Sequence, residues 1–288
     1  MSSDFMSTFA KEDEAKDFSD VIDYRANYRH LVLDGPFELQ HFPMLADIEV
    51  SMRLSRTMLI DASYGVYSRE RTPETRTSFV QFEPTNYMTI RAGYFMPVFG
   101  IMTNDHSLFI KKNNRLGRGS ESYNLELWGY KKNLFQSFYT VSSPAFRFTS
   151  TEENFYRLGT VQGNTHRVKI GYMGINRTEI GISAKAVREV DTYGMYIKTA
   201  PYNNKFYTFF ELDYNRLFEQ RLDYFRAGYF IWRGMDFFIE TDGLTSEFTK
   251  ERKTYLGLDW SIRPRFEISL KFAFSNQYAD QYQFHSWF

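Results

Sequence analysis

The feature that most constrains this chain is a strict alternation of apolar and polar residues over stretches of about ten residues. In residues 46–55 the even positions are apolar and the odd positions polar: Ile48, Val50, Met52 and Leu54 against Asp47, Glu49, Ser51, Arg53 and Ser55. The same alternation recurs in residues 88–96, 179–186 and 266–275. Because successive side chains of a β-strand point to opposite faces, each stretch predicts a strand with one apolar and one charged face.

The length of these stretches indicates a membrane rather than water as their surroundings. Strands of globular proteins usually have about five or six residues, whereas a tilted strand needs about 9–11 to cross a bilayer. No run of about 18 apolar residues occurs, which excludes transmembrane helices. A mean hydropathy of −0.47 suits a barrel, because only alternate residues face lipid. We therefore predict an all-β, antiparallel transmembrane β-barrel, with a soluble β-sandwich or propeller as the structural alternative.

The connections between the predicted strands fall into two length classes, as expected for a barrel with short periplasmic turns and longer external loops. Turn-forming residues mark short connections at 83–86, 131–133, 175–177, 202–205, 233–235 and 263–265. Longer connections are predicted at 34–44, 97–120, 142–164 and 242–251. Counting the strands between them gives about 16, with a range of 12–16. Residues 1–19 are polar and acidic and form a predicted lead-in, and residues 20–288 form a single barrel domain.

Composition and spacing argue against several other functions. The 35 basic and 35 acidic residues cancel, so no nucleic-acid partner is expected. The chain has no cysteine, no His-Glu-x-x-His zinc motif and no phosphate-binding glycine loop, so no metal or cofactor is predicted. Asp105, His106 and Ser107 are the residue types of a catalytic triad, but neighbouring residues of an extended chain point in opposite directions. A catalytic role is therefore not expected.

The end of the chain is similar to a known assembly motif. Tyr282, Phe284 and Phe288 fall on one face of a final strand, with Trp287 beside them. This resembles the C-terminal signature of bacterial outer-membrane barrels, which the outer-membrane assembly machinery reads. The resemblance implies a bacterial outer-membrane protein in contact with outer-membrane lipid and lipopolysaccharide. Residues 1–10 do not have the pattern of a signal peptide. We expect the signal peptide to have been removed from this form.

A second resemblance concerns residues 91–100, with the sequence RAGYFMPVFG. This stretch resembles a strand-end motif of the phosphate-selective porin O and P superfamily, in which a Pro-Phe-Gly-like ending leads into a loop that can fold into the pore. The family often places lysine before that proline, and Met96 stands here instead. The resemblance implies a porin-like protein without specifying phosphate as its solute. Porins commonly form trimers, which leaves a homo-oligomer open.

The loop that follows carries a concentration of basic residues that defines a candidate constriction: Lys111, Lys112, Arg115 and Arg118. If the loop folds into the lumen, this charge lowers the barrier for anions and raises it for cations. If the loop stays outside, the same residues meet lipopolysaccharide phosphates or solvent. The sequence leaves both interpretations open.

The polar faces of the predicted strands define a candidate lumen lining with charges of both signs: Asp47, Glu49, Arg53, Arg91, Glu126, Arg167, Lys169, Lys185, Glu267 and Lys271. These residues predict a water-filled interior. The leading hypothesis is an outer-membrane channel for passive diffusion of small hydrophilic solutes or ions, with loop 97–120 as its constriction. The alternatives are a structural or adhesive barrel whose lumen is occluded by a loop or by residues 1–19, and a barrel enzyme at the rim.

Overall fold

The computed structural model describes most of the chain outside its N-terminal residues and its two longest connections. The described residues are 22–35, 39–67, 70–101, 108–110, 121–131, 134–142, 164–186, 190–200, 205–263, 266–275 and 278–287. They form sixteen strands: β1 (Ile22–Asp34), β2 (Leu39–Ser55), β3 (Met58–Tyr67), β4 (Glu70–Thr85), β5 (Met88–Phe95), β6 (Ser122–Lys131), β7 (Phe135–Ser142), β8 (Thr165–Ile175), β9 (Thr178–Ala186), β10 (Val190–Thr199), β11 (Phe206–Asn215), β12 (Gln220–Trp232), β13 (Met235–Thr245), β14 (Lys250–Arg263), β15 (Phe266–Ala273) and β16 (Asp280–Trp287).

The strands close into one antiparallel barrel in which each strand pairs with its neighbours in sequence and β1 pairs with β16. In the closing pair, Asn27 lies opposite Trp287 and Asp34 opposite Asp280. The predicted barrel and the predicted strand number are thus confirmed. Within the described part of the chain, no helix is long and apolar enough to span a membrane.

The two faces of the wall differ in the way that the alternation predicts. On β2 the side chains of Ile48 and Val50 are 61% and 42% exposed on the outer face, while Asp47 on the inner face accepts a hydrogen bond from the Asn27 side-chain amide at 2.8 Å. On β8 and β9 the inward Lys169 and Glu179 are buried. Apolar residues outside and buried charges inside are the reverse of a soluble globular protein.

The connections also separate by end, although two of them are shorter than predicted. Seven short connections follow β2, β4, β6, β8, β10, β12 and β14. They lie at the end of the barrel where β1 begins and β16 ends, which we call the turn rim. The opposite end, the loop rim, carries the two long connections, 96–121 and 143–164. The predictions of long loops at 34–44 and 242–251 were wrong, because β2 begins at Leu39 and β13 continues to Thr245.

The final strand has the predicted orientation in its described part. Tyr282 lies opposite Val32 and Phe284 opposite His30 on the outer face of the closing pair. The rings of Tyr282 and Phe272 meet edge to face, with their centroids 5.9 Å apart. Phe288 and the lead-in 1–19 lie outside the described residues, so the assembly-signal interpretation and the domain boundary stay predictions.

Candidate pore

The chain enters the barrel interior directly after β5. Phe99 and Ile101 are 1% and 2% exposed, and two backbone amides bind the far wall. The Gly100 N–H donates to Ser183 Oγ of β9 at 2.9 Å, and the Ile101 N–H donates to Glu211 Oε2 of β11 at 2.8 Å. Residues 96–101 therefore cross from β5 to β9 and β11.

A second part of the same connection is held further around the wall. The backbone N–H groups of Phe109 and Ile110 both donate to the carboxylate of Asp242 on β13. The side chains of Leu108 and Ile110 pack in an apolar cluster with Leu222, Tyr224 and Leu244 of the wall. We refer to residues 96–101 and 108–110 together as the inner segment, and it lies against the inner face of β9 to β13.

A cation–π arrangement supports the start of the inner segment. The Arg91 guanidinium lies 4.0 Å from the centroid of the Phe95 ring and 5.1 Å from that of Phe79, and its Nη2 donates to Glu126 Oε1 at 2.7 Å. Gly93 has φ 144° and lies so close to β4 that a Cβ there would be 2.2 Å from the Ser78 carbonyl oxygen. The residues that resemble the porin motif therefore fix the point where the chain leaves the wall.

Buried charges on β8 to β10 form a network around one carboxylate. Glu179 Oε2 lies 2.9 Å from Lys198 Nζ, and Glu179 Oε1 lies 4.0 Å from Lys169 Nζ. Glu179 Oε1 also accepts hydrogen bonds from Gln136 Nε2 at 2.6 Å and from the Tyr196 hydroxyl at 2.5 Å. Burying a carboxylate is costly unless its charge is paired and its oxygens accept hydrogen bonds. Here two lysines pair the charge, and Oε1 accepts two hydrogen bonds.

A second network on β12 to β15 surrounds Arg226. Its guanidinium lies 2.5 Å from Asp259, 3.5 Å from Asp236 and 3.7 Å from Glu240. One face of the guanidinium covers the Phe238 ring at 3.6 Å from the centroid. Lys271 Nζ donates to Glu240 Oε1 at 2.5 Å. Two cations thus hold three carboxylates that would otherwise repel one another.

The predicted lining residues are distributed over several inner-face contacts. Arg91 meets Glu126, Lys169 meets Glu179, and Lys271 meets Glu240. The remaining contacts are these: Arg76 with Asp47 at 3.2 Å, Lys185 with Asp191 at 3.7 Å, Arg167 Nη1 with Ser142 Oγ at 2.7 Å, Arg53 Nη1 with the Arg56 carbonyl at 3.5 Å, Glu49 opposite Arg25 in register and Glu267 opposite His285. Lys111, Lys112, Arg115 and Arg118 lie outside the described residues, as do Asp105, His106 and Ser107.

Sequence reasoning missed Arg226, which contacts three carboxylates, and Asp242, which binds the inner segment. Arg226 was missed because its inward neighbours Tyr224 and Gly228 are not charged, so β12 does not alternate visibly. Asp242 was missed because Asp242 and the adjacent glycine have the composition of a turn. The inward direction of Arg226 follows from its spacing from Tyr224 and Gly228. This spacing could be interpreted only after the strand register was known.

Aromatic side chains on the outer face form two belts. Near the turn rim, Tyr172, Tyr229 and Trp260 are 49%, 49% and 39% exposed. Near the loop rim, the Tyr193 and Tyr214 rings are in contact, with centroids 5.5 Å apart. On β11, Phe206 and Tyr214 are eight positions apart, which is about 26 Å along the strand and about 20 Å along the axis of a barrel whose strands tilt by about 40°. That spacing suits the belts that flank the apolar band of a transmembrane barrel.

Solved structures with the same fold include bacterial porins. The anion-selective porin of Comamonas acidovorans superposes with a TM-score of 0.67 at 8% identity, covering 93% of this chain and 99% of that one. An engineered variant of the Rhodobacter blastica porin gives 0.65 at 8% identity, covering 93% and 100%. A loop-deletion mutant of OmpT, an outer membrane protein of Vibrio cholerae, gives 0.62 at 8% identity, covering 93% and 99%. No family model matches the chain, and a search of curated protein sequences finds no match. The chain thus has the sixteen-strand fold of porins.

Proposed function

We propose that the protein is a porin-like channel in a bacterial outer membrane, through which small hydrophilic solutes or ions diffuse passively. The apolar outer face and its two aromatic belts support a position in a bilayer, because in a transmembrane barrel apolar side chains face the lipid and polar side chains face the interior. The fold shared with porins supports the same location. The inner segment serves as the constriction, because it occupies one side of the interior.

The observation that carries this proposal is a difference in exposure between two parts of the inner wall. Behind the inner segment, Glu211 and Asp242 are 2% and 1% exposed. On the opposite side Arg91 keeps 24% of its side chain exposed, and Arg53 and Gln81 are half-buried. Polar and charged groups that keep contact with water border an aqueous passage, and we place this passage beside β2, β4 and β5.

Solute entry into liposomes tests the channel. Liposomes reconstituted with the full chain are expected to swell in isotonic arabinose at least roughly tenfold faster than empty liposomes, and more slowly as the sugar becomes larger, because a narrowed aqueous pore selects by size. Swelling no faster than in empty liposomes, from protein whose gel mobility shifts on heating, would favour the alternative of a structural or adhesive barrel with an occluded lumen.

A further inference from the structure

Three basic residues lie on the outer face near the loop rim, on β12 and β14, the two strands that flank β13. Arg221 on β12 lies opposite Tyr214 on one side and Thr245 on the other, and Lys250 on β14 lies opposite the same Thr245. Both side chains are exposed. At a strand spacing of about 4.8 Å the Cα atoms of Arg221 and Lys250 lie roughly 10 Å apart.

The third cation, Arg252, lies one outward position further from the rim. Its guanidinium pairs with Asp223 of β12 at 2.9 Å, and its side chain remains 53% exposed, against 12% for Asp223. In the described part of the chain, Arg221 and Lys250 form no ion pair. These outward strand positions therefore hold three cations and one carboxylate, on a face that is elsewhere dominated by exposed apolar side chains.

An apolar groove begins beside Arg221 and runs along the outer face toward the middle of the barrel. Its volume is about 570 Å³. Its outward lining comprises Tyr193, Tyr214, Ile182, Met195, Leu212, Val168 and Ala184, with Arg221 at its edge. The small side chain of Ala184 between larger neighbours makes room for a flexible hydrocarbon chain.

A positive patch above an apolar groove is complementary to one chemical class. Uncompensated charge on the lipid-facing wall of a barrel is destabilising by an amount that grows with depth. A phosphate group is a strong partner for arginine and lysine, and an acyl chain buries the groove. Together these two features match a lipid that carries phosphate.

We propose that the outer face of β8 to β14 binds the phosphorylated lipid A part of lipopolysaccharide, with phosphates at Arg221, Lys250 and Arg252 and an acyl chain in the groove. This assignment rests on the proposed outer-membrane location, in which the loop rim faces outward and meets the outer leaflet. Exposed apolar residues at the neighbouring turns, Leu217 (59%), Phe218 (61%) and Phe248 (89%), provide further contact with the lipid at the same level.

Lipid binding to matched charge variants tests the site. Native mass spectrometry of the detergent-solubilised full chain, titrated with purified bisphosphorylated lipid A, is expected to show binding at least about tenfold weaker in Arg221→Glu/Lys250→Glu than in the wild type. The control Lys205→Glu/Arg233→Glu changes the charge by the same amount at exposed positions of the turn rim, and it is expected to bind like the wild type. Lipid A without its phosphates is expected to bind the wild type weakly. Its affinity should be no higher than that of phosphorylated lipid A for Arg221→Glu/Lys250→Glu.

Equal loss in both charge variants, no loss in either, or equally tight binding of phosphate-free lipid A would overturn the proposal. If the glutamate variant does not fold, Arg221→Ala/Lys250→Ala replaces it in the measurement. This alanine variant is also expected to bind lipid A more weakly than the wild type. Liposome swelling of the same variants separates the two proposals. Arg221 and Lys250 do not face the lumen, so the variants are expected to swell like the wild type. If no protein caused swelling but lipid A still bound more weakly to the variant, the channel proposal alone would be contradicted.

Discussion

Replacement of Gly100 by valine is expected to roughly double the open-channel conductance, because it removes the inner segment from its place on the wall. Gly100 has φ 56°, a conformation that β-branched residues rarely adopt. A Cβ at this position would also lie 1.5 Å from Glu211 Oε1. The Gly100 and Ile101 amides then lose Ser183 and Glu211, and the passage widens. Single-channel recording in planar bilayers measures the change.

Two further variants show whether the effect belongs to the inner segment. Gly129→Ala places a Cβ 2.9 Å from the flexible Ser137 Oγ alone, so its conductance is expected to match that of the wild type. Asp242→Ala removes the acceptor for Phe109 and Ile110 and is expected to raise conductance in the same direction as Gly100→Val. Unchanged or lower conductance in both Gly100→Val and Asp242→Ala would show that the inner segment does not narrow the passage.

Replacement of Arg226 by methionine is expected to destabilise the barrel by roughly 3–5 kcal/mol, the usual loss when one partner of a buried ion pair is removed. Asp236, Glu240 and Asp259 would lose the guanidinium that lies among them, and of the two cations in this network only Lys271, which contacts Glu240, would remain. Methionine also replaces the planar guanidinium that covers the Phe238 ring. The temperature at which the folded form loses its distinct gel mobility is expected to fall by many degrees.

Arg25→Met is the matched control for this stability measurement. Arg25 pairs with Asp23 at 2.8 Å, but the two side chains are 58% and 51% exposed, and exposed pairs contribute about 1 kcal/mol or less. Its transition temperature is therefore expected to stay close to that of the wild type. Equal transition temperatures for Arg226→Met and Arg25→Met would mean that the Arg226 network contributes nothing specific to the stability of the barrel.

The alternation in residues 46–55 and 266–275 was sufficient to predict the barrel, because lipid and water impose opposite side chains on the two faces of a strand. The alternation was absent where inward side chains pack against the inner segment instead of facing water. On β12 the inward Leu222 and Tyr224 pack under the inner segment, so both faces of that strand are largely apolar.

Strand ends were less predictable because turn-forming residues also occur within strands. Residues 34–44 contain Pro43, which favours a loop, yet Pro43 lies opposite His30 beside a register shift of β1 and β2, where a strand tolerates proline. Asp242 is also a turn-forming residue type that lies within a strand, where its carboxylate binds the inner segment. Contacts between residues more than a hundred positions apart, such as Ile101 with Glu211, depend on barrel closure and leave no local pattern.

Single-channel recording of the unmodified protein is the most direct test of the central claim that this barrel encloses a water-filled passage. Full-length protein, refolded in detergent and shown to be folded by its heat-dependent gel mobility, is added to a planar bilayer in potassium chloride. Discrete, ohmic conductance steps of uniform size are predicted. A folded barrel that inserts into the bilayer and produces no steps would contradict the account.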